Sequence, residues 1–122
     1  MNDQSKLQIA EHQHGDVAVV ELSGELTLDD GDLVFGRYVD QMIAAERCRI
    51  VVDLSEVRYI DSAGVGMLVA ESKRATEHGG AMRLARLTAR SHHLFAMLKL
   101  KFAFEIYDDV ESAVRSFAMR PR

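Results

Sequence analysis

From residue 29 onward, short β-branched apolar runs alternate with longer stretches whose apolar side chains recur at helical spacing. That alternation predicts strands joined by helices around one sheet, an α/β or α+β layer fold. Two strands precede it, Leu7-Gln-Ile-Ala and Val17-Ala-Val-Val-Glu-Leu-Ser, with Gly15-Asp16 between them as a hairpin signal. Val17–Val20 is apolar on both faces, as a central strand would be. Asp29-Asp30 can cap a helix with Phe35, Val39, Met42 and Ile43 on its buried stripe, reaching about Glu46. Arg49–Leu54 reads as a buried strand. After Ser55–Ile60 and Asp61-Ser-Ala-Gly comes a helix to His78, carrying Val65, Leu68, Val69, Ser72 and either Ala75 or Thr76 on one face. Gly79-Gly80 ends it, since glycine enters the left-handed region without a Cβ clash. Ala81–Leu87 is the next strand, Thr88 caps a short helix to about Leu98, and Phe102–Tyr107 is a further strand. Asp108 and Glu111 have capping-box spacing for a last helix with Val110, Ala113, Val114 and Phe117 inward.

These elements predict a mixed sheet of four or five strands with helices mainly on one face and Ser62 exposed where the second long helix begins. With 122 residues the chain is sized for one domain, expected over 7–118, with a flexible segment 1–6 and a tail 119–122. Cys48 is the sole cysteine, which excludes an intrachain disulfide and a cysteine zinc site; beside a buried strand it is expected to be inert. The longest apolar runs are far short of the roughly twenty residues of a membrane span, and the polar start lacks a signal-peptide core. A cytoplasmic protein without membrane insertion is expected. The net charge of −4 argues against general nucleic-acid affinity. That average hides an asymmetry. Residues 1–32 hold eight acids against Lys6, whereas residues 73–101 hold seven bases against Glu77. Such segments form either solvated faces or a bipolar surface for a charged protein partner.

The residues admit three chemical readings. Gly64-Val-Gly66 opens a helix after a strand, but Val69 stands where a dinucleotide fingerprint needs its third glycine. These glycines are better read as permitting a tight turn. Ser62 sits at a strand-to-helix turn like a hydrolase nucleophile, but Ile60 replaces the elbow's first glycine and nothing ties His92 or His93 to it. His12 and His14 lack the carboxylate or thiolate company of a metal site. Glu105, Asp108, Asp109 and Glu111 suit a helix N-terminus rather than an acid–base pair. No enzyme, metal or cofactor reading survives. For Ser62 the plain structural role remains: either it or Asp61 caps the helix by accepting a backbone N–H.

Asp61-Ser-Ala-Gly-Val-Gly resembles the STAS domain family of anti-sigma-factor antagonists. Leu22-Ser-Gly-Glu-Leu resembles the family's early strand end, and Ile50–Gly64 its central strand, loop and phosphorylation turn. Gly79-Gly80, Arg90–Leu98 and Phe104–Val114 are similar to its second half, so the likeness covers about 7–118. The resemblance implies that Ser62, preceded by Asp61, is phosphorylated by a partner that is both anti-sigma factor and serine kinase. The unmodified protein would bind that partner and free the sigma factor, phosphorylation would release it, and a serine phosphatase would reset the switch. Thr27, Asp61, Ser62, Ala63, Gly64 and Val65 are then the expected partner-binding residues. Two positions depart from the pattern. Thr27 stands where an aspartate is common, in a loop expected beside the turn. Lys99-Leu100 replaces a common Gly-Leu, so Lys99 must leave its helix without glycine's freedom. The resemblance also admits a rival role, as a constitutive cytoplasmic subunit bound to the ATPase of a lipid or solute transporter.

Overall fold

Gly15, at φ +63°, turns the chain between β1 (Leu7–His14) and β2 (Val17–Leu26), an antiparallel hairpin pairing Leu7 with Gly24 and His14 with Val17. The computed structural model describes residues 6–28, 30–100 and 103–118. The expected end segments therefore lie outside them, except for Lys6. After the hairpin come α1 (Gly31–Ala44), β3 (Arg49–Ile60), α2 (Ser62–Glu77), β4 (Ala81–Ala85), α3 (Ala89–Met97), β5 (Ile106–Tyr107) and α4 (Val110–Ala118). The sheet order is β1-β2-β3-β4-β5, antiparallel only between β1 and β2. This is the expected mixed sheet, and of the four or five strands expected it has five.

Alternation along the central strands makes two cores. Ala18, Val20 and Leu22 of β2, with Ile50, Val52 and Leu54 of β3, face Phe35 and Val39 of α1, Leu68 of α2 and Phe95 of α3. Val17, Val19, Val51 and Ala85 face the other way, against Ala113 and Phe117 of α4. Each fully buried aliphatic or aromatic side chain contributes about 1.5–3 kcal/mol. Three helices on one face and one on the other match the expected bias. Cys48 is 9% exposed, at the rim of the larger core.

Several boundaries differ from expectation. β3 runs on to Ile60, because β2 extends with it and pairs Leu26 with Ile60 through two register shifts. The last strand comprises Ile106 and Tyr107 instead of Phe102–Tyr107, and Phe102 lies outside the described residues. Asp109, one residue later than expected, caps α4 by accepting the Ser112 N–H at 2.7 Å, which holds its carboxyl below the usual range. Asp30 is the N-cap residue of α1, but its side chain makes no capping bond; Asp29 lies outside the described residues. Thr88 caps α3 as expected, accepting from the Ser91 N–H at 3.1 Å. Gly79, at φ +88°, follows α2 in the left-handed region. Lys99 adopts φ +60° where it leaves α3, with its N–H on the Ala96 carbonyl.

Candidate functional site

β2, β3 and β4 run parallel, so the helices that follow them begin at the same, C-terminal end of these strands. There the β2–α1 loop meets the first turn of α2. Asp61, with extended φ −120° and ψ −176°, is the N-cap of α2. Its Oδ1 accepts the Gly64 N–H at 2.9 Å, and its Oδ2 accepts the Leu28 N–H at 3.0 Å. One carboxylate thus satisfies an open helix donor and pins the neighbouring loop. The Asp61 N–H also donates to the Leu26 carbonyl at 3.4 Å. Thr27 lies in this pinned loop, as expected, and its carbonyl accepts the Asp32 N–H at 3.0 Å.

The approach is close enough to require a glycine. A Cβ on Gly64 would stand 2.0 Å from the Leu26 carbonyl oxygen. Gly66 is different: nothing lies within 4 Å of a Cβ there, so only the first glycine of Gly64-Val-Gly66 serves the tight turn.

Ser62 occupies the first helical position and is exposed. Of the two capping candidates Asp61 does the work, and the Ser62 hydroxyl forms no hydrogen bond with a described residue. The Ser62 and Ala63 N–H groups likewise have no acceptor among the described residues. The first turn of α2 contains no acid. An exposed hydroxyl therefore sits beside open N–H donors at the positive end of a 16-residue helix. Such a terminus accommodates a phosphate.

Of the expected contact residues, the structure brings Thr27, Asp61, Ser62 and Ala63 to one surface. Gly64 is buried against Leu26, and Val65, 1% exposed, belongs to the core beneath the turn. Sequence reasoning missed Leu28, whose side chain is 70% exposed while its backbone is held by Asp61. It also missed Tyr59, half-exposed at the end of β3 with the Arg90 guanidinium 5.6 Å from its ring centroid. Their signal is spatial, since 33 residues separate Leu28 from Asp61.

The other candidates lie elsewhere. His92 and His93 are exposed on α3, and no hydrogen bond joins either to Ser62. His12 stands 3.2 Å from Glu21 on the hairpin. Glu105 meets Arg83 at 3.0 Å and the Tyr107 hydroxyl at 2.7 Å, and both contacts lower its pKa, the tyrosine more. Glu71 lies in the seam between α1 and α2. Burial and the Asp40 carboxylate push its carboxyl up to about 7, against the opposing pull of Arg74.

The family model described as "STAS domain" matches residues 8–113. The anti-sigma F factor antagonist of Paenibacillus polymyxa is 32% identical over 109 residues, covering 88% of this chain and 92% of its own. The anti-sigma-B factor antagonist of Bacillus subtilis is 27% identical over 96 residues, covering 79% and 86%. In fold, the chain is similar to an anti-sigma factor antagonist from Mycobacterium paratuberculosis, with a TM-score of 0.77 at 21% identity and coverage of 90% and 92%. The turn at Asp61–Gly64, the sheet that carries it and the matched span place this chain in the STAS domain family.

Proposed function

We propose that this protein is an anti-sigma factor antagonist that acts in the cytoplasm as a binding module rather than an enzyme. Its unphosphorylated form binds an anti-sigma factor with serine kinase activity, and phosphorylation of Ser62 ends that binding until a serine phosphatase resets it. The observation that carries the reading is the division of labour at the turn: Asp61 caps α2, and Ser62 is exposed with no structural task. The names of the curated relatives support the partner class. Among the described residues no helix is long and apolar enough to cross a membrane.

The switch is electrostatic. A phosphate adds about −1.5 to −2 charge at pH 7. On the free protein that charge meets open N–H groups and water, so the fold persists. Within a packed interface the same charge would be desolvated beside Asp61, and an unpaired buried charge is strongly destabilising. Calorimetric titration against the candidate kinase tests the proposal. Ser62→Ala should retain wild-type affinity while accepting no phosphate, and Ser62→Asp should bind about tenfold or more weakly. Equal affinity of the two variants would refute the switch.

A further inference from the structure

β3 outruns its neighbour on one side. β2 accompanies it to Ile60, but β4 pairs with it only from Arg49 to Asp53. The edge of β3 from Leu54 to Ile60 therefore has no strand beside it among the described residues. In a parallel ladder successive residues turn their N–H and C=O groups to opposite sides, so part of this run aims backbone groups away from β2. Ser55 directs its N–H to the Asp53 carboxylate at 3.0 Å. For residues 56–60, no backbone bond toward the β4 side occurs with a described residue. Beside the edge lies a notch of 340 Å³ lined by Ser55, Glu56, Arg58, Tyr59, Thr88 and Arg90, with Val57 at its base. Its upper end is two residues from Asp61, next to the turn that presents Ser62.

The side chains around the notch point to its occupant. Arg47, Arg49, Arg74, Arg83, Arg86 and Arg115 each pair with a carboxylate. Arg37, Arg58 and Arg90 are exposed and form no ion pair with a described residue, and of these three Arg58 and Arg90 line the notch. The Arg90 guanidinium lies over the exposed ring of Tyr59, and Arg58, the preceding residue of β3, points to the other face of the strand. Two cations against Glu56 leave the lining of the notch net positive. An open strand edge is a template for an added strand.

We infer that the open edge of β3 receives an extended acidic segment of the anti-sigma partner, which adds as a strand beside residues 55–60 and sets its carboxylates on Arg58 and Arg90. This rests on the proposed function and deepens it: the Ser62 turn supplies the switch, and the adjoining edge supplies register and charge selection. Main-chain bonds give such a segment affinity that depends little on sequence, and the arginines select acidic partners.

Amide exchange and a charge-reversed variant, read together, test the inference. In the complex with the candidate kinase, amides within 55–60 that face the notch should exchange at least about tenfold more slowly than in the free chain. The double variant Arg58→Glu, Arg90→Glu, altered only at exposed side chains, should bind about tenfold or more weakly. If Ser62→Asp weakens binding but exchange at 55–60 is unchanged in the wild-type complex, the strand addition is overturned and the switch stands. Weaker binding of the double variant with unchanged exchange overturns it too, because the arginines would then act without an added strand. Protection of 55–60 in the free chain that grows with protein concentration would assign the edge to a second copy instead. If neither Ser62→Asp nor the double variant alters affinity, the proposed function fails as well.

Discussion

α1 and α2 pack side by side and begin at the same end of the sheet, each after a parallel strand, yet their first turns are furnished differently. In α1 the first turn carries Asp32, which is buried and accepts the Leu33 N–H at 2.8 Å, so the positive end of the helix already faces a carboxylate. In α2 the acid stands one position outside the helix. Asp61 caps from there, and the first helical residue is an exposed, neutral hydroxyl. Both termini are anchored to strand carbonyls: a Cβ on Gly31 would meet the Glu25 oxygen at 2.1 Å, as one on Gly64 would meet that of Leu26. The contrast teaches that anchoring and charge compensation are separable. α1 does both inside its first turn, while α2 makes its close approach through Gly64 in the first turn, takes its carboxylate from Asp61 outside the helix, and leaves Ser62 uncommitted.

The sharpest way to break this comparison is Gly64→Ala. Its Cβ would collide with rigid backbone, so a loss of about 3 kcal/mol is expected by denaturant titration. Gly36→Ala in α1 meets only the flexible Met67 thioether at 2.8 Å and should lose far less. Equal losses would show that the turn has no special rigidity.

Next comes a pH effect in the seam that joins the two helices. Glu71 is 4% exposed, its Oε1 has no hydrogen-bond partner among the described residues, and Asp40 and Arg74 are the charged groups beside it. Its carboxyl holds its proton to about pH 7 in the fold, against an ordinary value of 4.5. A raised acid favours the fold fully below the unfolded pKa, and that contribution fades as the pH climbs through the folded one. Stability should therefore fall by about 2–3 kcal/mol between pH 4.5 and 7, and Glu71→Gln should flatten that slope. A wild-type curve that rises over this window would contradict the assignment.

Asp61→Ala removes a cap and a loop clamp together and should destabilise by about 2 kcal/mol. Amide exchange at Leu28 and Gly64 should speed up together; acceleration at Gly64 alone would show that the loop is held by other contacts. The smallest effect has the opposite sign. Gly66→Ala places a methyl in open space within a helix and should stabilise by about 0.5–1 kcal/mol, measurable as a raised midpoint.

What could be read from the residues followed from local chemistry. Val17–Val20 and Arg49–Leu54 announced central strands, Gly79 and Thr88 marked helix ends, and Asp61-Ser62 marked a cap. Ser55–Ile60 was opaque, because Ser-Glu-Val-Arg-Tyr-Ile lacks a clean alternation: its strand pairs on one edge only and shifts register twice. Asp108 and Asp109 are both short acids before the last helix, and only the folded chain shows that Asp109 makes the capping bond. The Leu28–Asp61 bond and the meeting of Tyr59 with Arg90 join residues far apart in the chain, so no short window contains their signal.

The smaller core has a consequence for biosynthesis. Val17, Val19, Val51 and Ala85 are all made before the helix that covers them, since α4 spans Val110–Ala118. During vectorial synthesis that face of the sheet stays uncovered after the hairpin and central strands can pair. Newly made chains therefore pass through a stage with exposed apolar strand surface, where association competes with completion of the fold. Phe117, which seats over Arg83 with 3.9 Å from guanidinium to ring centroid, is the residue whose arrival ends that exposure.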